Sequence, residues 1–456
     1  MKRIINEELI LFTSVVKWII LAIFIGILVG LSTTLFLKTL DWATKTTSGY
    51  RYYYLLLPLA FFLSTVMVRY FAPDAEGHGT EKVIEAIHKH SGKIRFSVVP
   101  VKILATVITI AGGGSAGKEG PSAQIGAGLS SFFSDLFRFD DVDRKKFVIC
   151  GISAGFASVF GTPVAGAIFG IEVLLIGGML YNVLLPSIIA GITGYYVASL
   201  SGIRYFRYQM VLPSDILALF DNNLLPKVFV AGLFFGICAL LFIETMEFFK
   251  KVSGKIHLDK SIKALIGGIS LILLTFLFSP AYLGLGAETI HSALSTQGVK
   301  FAWYAFLAKI LFTSVTLSFG GSGGVVTPIF FIGATSGVLF SHLSGADPNL
   351  FAAIGLVALL SGAANTPIAA IIMAVELFGL NILVYASIAC VISFFITGHR
   401  SIYPSQILNM KKSTSIMVES GKEAEHLRVS LQKREKSLIG LCCRILDKIR
   451  HDEKKE

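Results

Sequence analysis

The chain has 456 residues, of which 54% are hydrophobic and only 15% are charged, and its mean hydropathy is +0.72. These values exclude an ordinary soluble globular domain and predict an all-α membrane protein that crosses the bilayer several times. The net charge of +11 is concentrated in short segments that flank apolar runs, which indicates membrane orientation and argues against a nucleic-acid partner.

Apolar segments suited to membrane spans occur along most of the chain, since a span needs roughly 20 apolar residues. In chain order they are 11–40, 53–71, 97–115, 122–138, 147–176, 179–200, 226–249, 263–284, 301–319, 328–346, 350–378 and 380–398. Several are too short, too long or broken by Gly and Pro, a pattern typical of tilted, re-entrant and interrupted helices. The first carries Lys17 and lacks an obvious cleavage site, so we expect a retained span and not a removed signal peptide.

Two halves of the chain repeat each other. The segments "KILAT" (102–106) and "GGSAGKEGPSAQIGAGLSSFF" (113–133) recur 207 residues later as "KILFT" and "GGSGGVVTPIFFIGATSGVLF". A third segment, "TPVAGAIFGIE" (162–172), recurs 204 residues later as "TPIAAIIMAVE". Agreement in order, spacing and residue type predicts a structural duplication, as in transporters whose ligand lies where the two repeats meet. Inversion of one repeat does not follow from the sequence alone.

The predicted organisation has three parts: a first membrane repeat over 1–250, a second over 251–410, and a charged cytoplasmic tail over 411–456, which we expect to be helical. Lys and Arg are enriched in the tail, at the N-terminus and in the 250–263 loop, so both termini are predicted to be cytoplasmic. The membrane is expected to be the cell inner (plasma) membrane. The five cysteines lack metal-ligand spacing and are interpreted as packing residues.

Each repeat contains a Gly-rich loop followed by a proline, at Gly117–Pro121 and at Gly324–Pro328, which is how a helix begins. The first N–H groups of such a helix have no internal partner and carry the positive end of its dipole. Two such starts could therefore hold one small anion without a full positive charge in the membrane. A third start is predicted after Gly77, with Thr80 as its N-cap.

Glu119 is a carboxylate at one of these starts, and an ionisable group at membrane depth is a functional candidate. As an anion mimic, it would occupy the anion's place when ionised and leave when protonated, which couples anion occupancy to protons. The alternative interpretation is that these glycines only allow close helix packing.

Four other ionisable residues are interpreted as structural. Lys102 and Lys309 occupy equal positions in the two repeats and are expected to satisfy backbone carbonyls or a glutamate. Glu172 and Glu376, which are also equivalent, are expected to be structural for the same reason.

Three G-x-S-x-G strings, at 113–117, 151–155 and 320–324, could indicate an intramembrane serine hydrolase. No strand-turn-helix pattern surrounds them, and two are related by the repeat. Catalytic residues, cofactors and metal ligands are therefore not predicted.

The motifs around Glu119 resemble those of the CLC family of anion channels and anion/proton antiporters. The family's G-[KR]-E-G-P motif stands as Gly117-Lys118-Glu119-Gly120-Pro121, and its G-x-F-x-P motif aligns with 324–328. Its late tyrosine matches Tyr403, and its G-S-G-I-P motif aligns with 77–81. The resemblance covers about residues 15 to 410.

The resemblance implies an all-helical homodimer with inverted repeats, one anion pathway per subunit, and Glu119 as the gating, proton-linked residue. The expected anion-binding residues are His78, Gly79, Lys118, Glu119, Gly120, Val325, Val326, Thr327 and Tyr403. The substrates implied are chloride or another halide, together with protons, and the protein is expected to sit in a lipid bilayer. The tail is shorter than the paired CBS domains of many eukaryotic members.

Departures from the family pattern leave the ion and the mechanism open. His78 replaces the central serine, Val326 replaces the motif phenylalanine, and Thr80 and Glu81 replace Ile-Pro. Val173 stands where many antiporters have an inner, proton-accepting glutamate. Exchange of a small inorganic anion, chloride or another halide, for protons is the main expectation. Shared departures with the fluoride-exporting branch favour a fluoride/proton antiporter as an alternative, and Val173 also permits a passive voltage- or pH-gated chloride channel. His78 is either a pH-sensitive anion ligand or a neutral residue bonded to backbone.

Overall fold

The structure is a computed structural model that describes residues 2–205, 207–208, 224–295, 301–427 and 430–431. The α-helices of this part are α1 Lys2–Ser48, α2 Leu57–Phe71, α3 Thr80–Lys89, α4 Val98–Ala111, α5 Glu119–Leu136, α6 Asp141–Phe160, α7 Pro163–Glu172, α8 Leu184–Leu200, α9 Leu224–Lys255, α10 Lys260–Leu277, α11 Ala287–Leu294, α12 Ala305–Ser318, α13 Val326–Ser344, α14 Pro348–Ala364, α15 Pro367–Phe378 and α16 Leu383–Ile396. Four two-residue strands accompany them: β1 Leu175–Ile176, β2 Ile407–Leu408, β3 Ile416–Met417 and β4 Ser430–Leu431.

Six helical segments of the described chain are long and apolar enough to cross a membrane. They are Asn6–Ser48, Tyr53–Phe71, Tyr181–Leu200, Leu224–Lys255, Lys260–Leu277 and Val326–Ser344. Shorter apolar helices, such as α4 and α12, lie beside them. The protein is thus the all-helical, multi-span membrane protein that its composition predicts.

The overlong predicted segments are interrupted helices. Segment 147–176 divides between α6 and α7, and segment 350–378 divides between α14 and α15. In both cases the break precedes a Thr-Pro pair whose proline starts the next helix. Proline suits this position because it needs no backbone hydrogen bond there and its φ angle is already helical.

The packing of the helices repeats from one half to the other. In the first half, α1 lies against α6 and α8, and α5 packs along α6. In the second half, α9 lies against α14 and α16, and α13 packs along α14. Residues 250 and 251, where the repeats were predicted to divide, lie inside α9. The contacts of α9 match those of α1, so α9 is the first helix of the second half.

The segment after Tyr403 folds back onto the first repeat. Strand β2 pairs in parallel with β1, directly after α7, and β3 pairs antiparallel with β4. Residues 411–427 contain no α-helix, so the predicted helical tail is wrong for this stretch, and the tail beyond 431 lies outside the described residues. Cys150, Cys238 and Cys390 are buried free thiols, as expected of packing residues, whereas Cys442 and Cys443 lie outside the described part.

Candidate functional site

The two Gly-rich loops are buried and contact each other. The Gly117 N–H donates to the Gly324 carbonyl at 2.7 Å, and the Gly324 N–H donates to the Gly117 carbonyl at 2.6 Å. These equivalent residues form an antiparallel bridge, so each loop contacts its own counterpart. The helix starts that the sequence predicted to converge are therefore in contact.

Threonines of α4 and α12 hold the loops in place across the repeats. The Ser115 N–H donates to Oγ1 of Thr316 at 3.0 Å, and the Ser322 N–H donates to Oγ1 of Thr109 at 3.0 Å. Each repeat thus supports the loop of the other. Sequence reasoning missed this, although both threonines stand seven residues after the repeated lysines and could have been found by that spacing.

Glu119 reaches from the start of α5 to the start of α13. One carboxylate oxygen accepts a hydrogen bond from the Thr327 N–H at 3.0 Å, and the Thr327 hydroxyl lies 2.7 Å from both oxygens. Glu119 is only 3% exposed and Thr327 only 6%. The carboxylate therefore occupies the position in which the N-terminus of α13 would hold an anion.

The turn before α3 packs directly on this pair of helix starts. Gly79 has φ +73° and is the N-cap of α3, so the prediction of Thr80 as N-cap is wrong. A Cβ atom on Gly79 would collide with the backbone carbonyl of Gly120, and one on Gly120 would collide with the carbonyl oxygen of His78. Glycine is required at 79 both by this left-handed backbone and by the close approach.

Three buried polar atoms near Glu119 have no hydrogen-bond partner within the described part of the chain: Nδ1 of His78, Oγ1 of Thr80 and Oη of Tyr403. Tyr403 is completely buried, its ring lies 6.2 Å from the His78 ring, and it is close enough to Glu119 to experience the charge of that carboxylate. Buried polar groups without partners are rare in folded proteins. Their grouping here fits a site whose missing partner is a small anion.

The other predicted site residues contribute mainly backbone. Lys118 and Val325 are the N-caps of α5 and α13, and Val326 is the buried first residue of α13. The half-buried Lys118 ammonium makes no hydrogen bond or ion pair to any described residue. Its contact with an anion stays a prediction.

The lysines of the two repeats bind backbone carbonyls, in agreement with the sequence interpretation. Lys102 Nζ donates to the carbonyls of Ala75 and Gly77, at 3.0 and 2.6 Å. Lys309 Nζ donates to the equivalent carbonyls of Tyr282 and Gly284, at 3.1 and 2.9 Å. Each lysine thus fixes the turn that precedes a short helix.

The paired glutamates cap helices of the opposite repeat. Glu172 accepts from the N–H groups of Ile368 and Ala369, at 3.1 and 2.8 Å. Glu376 makes the equivalent contacts with Val164 and Ala165, at 3.1 and 2.9 Å. A carboxylate satisfies the free N–H groups at the start of a helix, so both residues are structural, as expected.

One carboxylate near the site was not assigned a role from the sequence. Glu81, on the first turn of α3, binds Ser405 in the loop that carries Tyr403. The sequence signal was available, since a charged residue stands there in place of the family's proline, but its partner 324 residues away could not be read from spacing.

Hydrolase and metal chemistry find no support at this site. The Ser115 hydroxyl lies 3.0 Å from the Thr313 hydroxyl and belongs to the framework that holds the loop. Within the described ranges, no group of three or more His, Cys, Asp or Glu side chains is placed to hold a metal ion.

Residues 60–398 match the family described as "Voltage gated chloride channel". The chain is 34% identical over 415 residues to the "Chloride/fluoride channel protein" of Pseudomonas syringae pv. tomato, an alignment that covers 89% of this chain and 90% of that protein. It is 28% identical to the "H(+)/Cl(-) exchange transporter ClcA" of Klebsiella pneumoniae, over 79% of this chain and 80% of that protein.

Solved structures share the fold. The structure described as a CLC-type fluoride/proton antiporter matches with a TM-score of 0.81 and 29% identity, over 87% of this chain and 98% of that one. A slow cyanobacterial Cl⁻/H⁺ antiporter matches with a TM-score of 0.70 at 17% identity, over 84% of this chain and 94% of the other, which shows the fold alone.

Proposed function

Because the chain belongs to the CLC family, whose members are anion channels and anion/proton antiporters and not enzymes, we propose that it exchanges fluoride for protons across a membrane, with Glu119 as the gate. Anion transport itself is a property of the family. The choice of fluoride over chloride, and of exchange over passive flow, forms the proposal.

The observation that carries this proposal is the position of the Glu119 carboxylate. It binds the amide and hydroxyl of Thr327, which are the groups that an anion at the start of α13 would use. An anion and an ionised Glu119 therefore compete for the same donors. Protonation removes the negative charge of the carboxyl group, frees the donors for the anion and couples the two movements.

Fluoride is favoured by the donors around the site. Fluoride is small and strongly hydrated, so a dry site must replace its water with short, strong hydrogen bonds. The unpartnered Tyr403 hydroxyl, the Thr80 hydroxyl and the His78 imidazole are donors of this kind, and Thr327 supplies another hydroxyl. His78 stands where the family motif has its central serine, and two similar proteins are a chloride/fluoride channel protein and a fluoride/proton antiporter.

The wider setting belongs to the same proposal. The basic 250–263 loop and the basic termini favour a multi-pass protein of the cell inner (plasma) membrane with cytoplasmic termini. We also expect a homodimer with one complete pathway in each subunit. The division into two membrane repeats and a charged tail agrees with the repeated packing, but the packing supports a division between α8 and α9.

Purified protein in proteoliposomes tests the function directly. Vesicles are loaded with fluoride, and an external fluoride electrode and a pH electrode record both ions after the electrical potential is clamped with an ionophore. Fluoride efflux accompanied by proton uptake supports exchange. Chloride, nitrate and bicarbonate in matched vesicles give the selectivity.

Two outcomes would overturn parts of the proposal. Fluoride flux without proton movement would favour the passive channel that Val173 permits. Proton-coupled chloride flux that exceeds fluoride flux would favour chloride/proton exchange, the activity named for the more distant relative.

A further inference from the structure

Glu81 is a carboxylate with one satisfied and one unsatisfied oxygen. Its Oε1 accepts hydrogen bonds from the Ser405 N–H at 3.0 Å and from the Ser405 hydroxyl at 2.5 Å. Its Oε2 is buried and has no hydrogen-bond partner among the described residues. The structural glutamates differ, because Glu172 and Glu376 each use both oxygens to accept backbone N–H groups.

Glu81 and Glu119 share Tyr403 as a neighbour. Tyr403 lies close enough to both carboxylates to experience their charge. The Tyr403 N–H donates to Oγ of Ser401, and Ser405 binds Glu81, so one short loop positions the phenol and the second carboxylate together. Thr80 directly precedes Glu81, and Tyr403 stands two residues before Ser405, so the contact between Ser405 and Glu81 joins two segments that each carry a buried hydroxyl group without a partner among the described residues.

The same loop contacts the position where many antiporters have their inner glutamate. Gln406, directly after Ser405, donates to the Val173 carbonyl at 2.7 Å and to the Ala364 carbonyl at 2.8 Å. Valine cannot carry a proton. Glu81, on α3, thus places a carboxylate against the loop whose next residue contacts Val173.

Helix α3, which carries Glu81, has a charged and partly exposed surface. Helix α3 is short and polar, and Glu85, one turn after Glu81, forms an ion pair with Lys82 at 2.8 Å on a partly exposed surface. The exposed Lys250 of α9 is the other charged neighbour. Burial raises the pKa of Glu81 to about 7, against the opposing effects of the Ser405 hydrogen bonds and of Lys250. Both protonation states are then populated near neutral pH.

We propose that Glu81 carries protons between the aqueous phase at α3 and Glu119, in place of the inner glutamate that Val173 removes. This role rests on the proposed exchange function. In each cycle, Glu81 takes one proton from water and releases it through the Tyr403 and Thr80 hydroxyls to the Glu119 carboxylate. Glu81 returns to its ionised form, and the neutral Glu119 leaves the donors of Thr327.

Glu81→Gln is the decisive variant. The glutamine carbonyl can still accept both hydrogen bonds from Ser405, while its amide cannot release a proton. Fluoride at high concentration still competes with the ionised Glu119 for the donors of Thr327, so we expect fluoride flux to continue. The ratio of protons to fluoride should fall by at least about tenfold, since positioned proton donors and acceptors contribute on the order of 10²- to 10⁴-fold to transfer rates. Glu85→Gln, on the same helix, is the matched control and should keep the wild-type ratio.

The outcomes separate this inference from the function on which it rests. Wild-type protein that moves no protons overturns both. Coupled wild-type protein with an unchanged ratio in Glu81→Gln overturns the role of Glu81 alone. If Glu81→Gln loses fluoride flux as well, Glu81→Asp decides: recovery of flux and coupling by a second carboxylic acid supports the proposal, and loss of both shows a purely structural residue.

Discussion

The two equivalent lysines offer a test in which one repeat is the control for the other. Lys102 and Lys309 are both fully buried, and each donates to two backbone carbonyls of a turn. Replacing either by methionine keeps an unbranched side chain of similar length but leaves two carbonyls unsatisfied. Each buried unsatisfied carbonyl costs about 1–3 kcal/mol. Methionine also avoids the cost of burying a charged ammonium, which offsets part of this loss. We therefore expect the free energy of unfolding of either variant to fall by roughly 2–4 kcal/mol.

Transport should distinguish the two variants although stability does not. The carbonyls bound by Lys102 belong to Ala75 and Gly77, and the second of these directly precedes His78. The carbonyls bound by Lys309 belong to a turn that supplies no predicted site residue. Lys102→Met should therefore lower both stability and fluoride flux, whereas Lys309→Met should lower stability alone.

Thermal unfolding in detergent and fluoride efflux from proteoliposomes, measured at a temperature where both variants remain folded, provide the two readouts. Equal loss of flux in the two variants would refute the link between the Lys102 turn and the site. Unchanged thermal stability in either variant would refute the energetic reasoning.

Substitutions at three further residues test the site. Glu119→Gln should abolish proton movement while fluoride flux persists, because an amide cannot ionise; pH-driven fluoride accumulation in this variant would contradict the gate. Thr327→Val should weaken fluoride binding by about tenfold or more, as expected for loss of a hydrogen bond to a charged group, and Thr327→Ser should retain it; calorimetric titration with fluoride measures both. Tyr403→Phe removes a hydroxyl that has no partner in the described structure, so it should leave thermal stability unchanged or higher while it weakens fluoride binding; a loss of stability would show that the hydroxyl is structural.

The sequence predicted the parts of the site that local patterns determine. Gly-rich loops followed by proline mark helix starts, and in transporters built from repeats the ligand lies where the repeats meet, so the residues suggested that the two starts converge. Lys102 and Lys309 were expected to bind backbone carbonyls or a glutamate, because a buried ammonium needs hydrogen-bond acceptors, and the structure shows carbonyls. The family resemblance identified Tyr403, which no local pattern marks.

What the sequence did not provide depends on contacts between distant side chains or on exact backbone angles. The bond between Glu81 and Ser405 joins residues that only the folded chain brings together. Gly79 is the N-cap of α3, and Gly120 approaches it too closely for a side chain at 79, a contact that the sequence does not reveal. The predicted boundary at 250 followed the charge of a polar loop, whereas packing continues α9 through that position.

The site is asymmetric although the two repeats that form it are nearly equivalent in structure. With an offset of 207 residues, the counterpart of Glu119 is Val326 and the counterpart of Thr327 is Gly120. One repeat therefore supplies the carboxylate and the other supplies the hydroxyl and amide that bind it. A second carboxylate at 326 would lie beside the first, where like charges disfavour ionisation of both and compete with the anion. A hydroxyl-bearing side chain at 120 would collide with the carbonyl of His78. Duplication thus accounts for two equivalent helix starts, and the proposed gate further requires that the two repeats carry different residues at these positions.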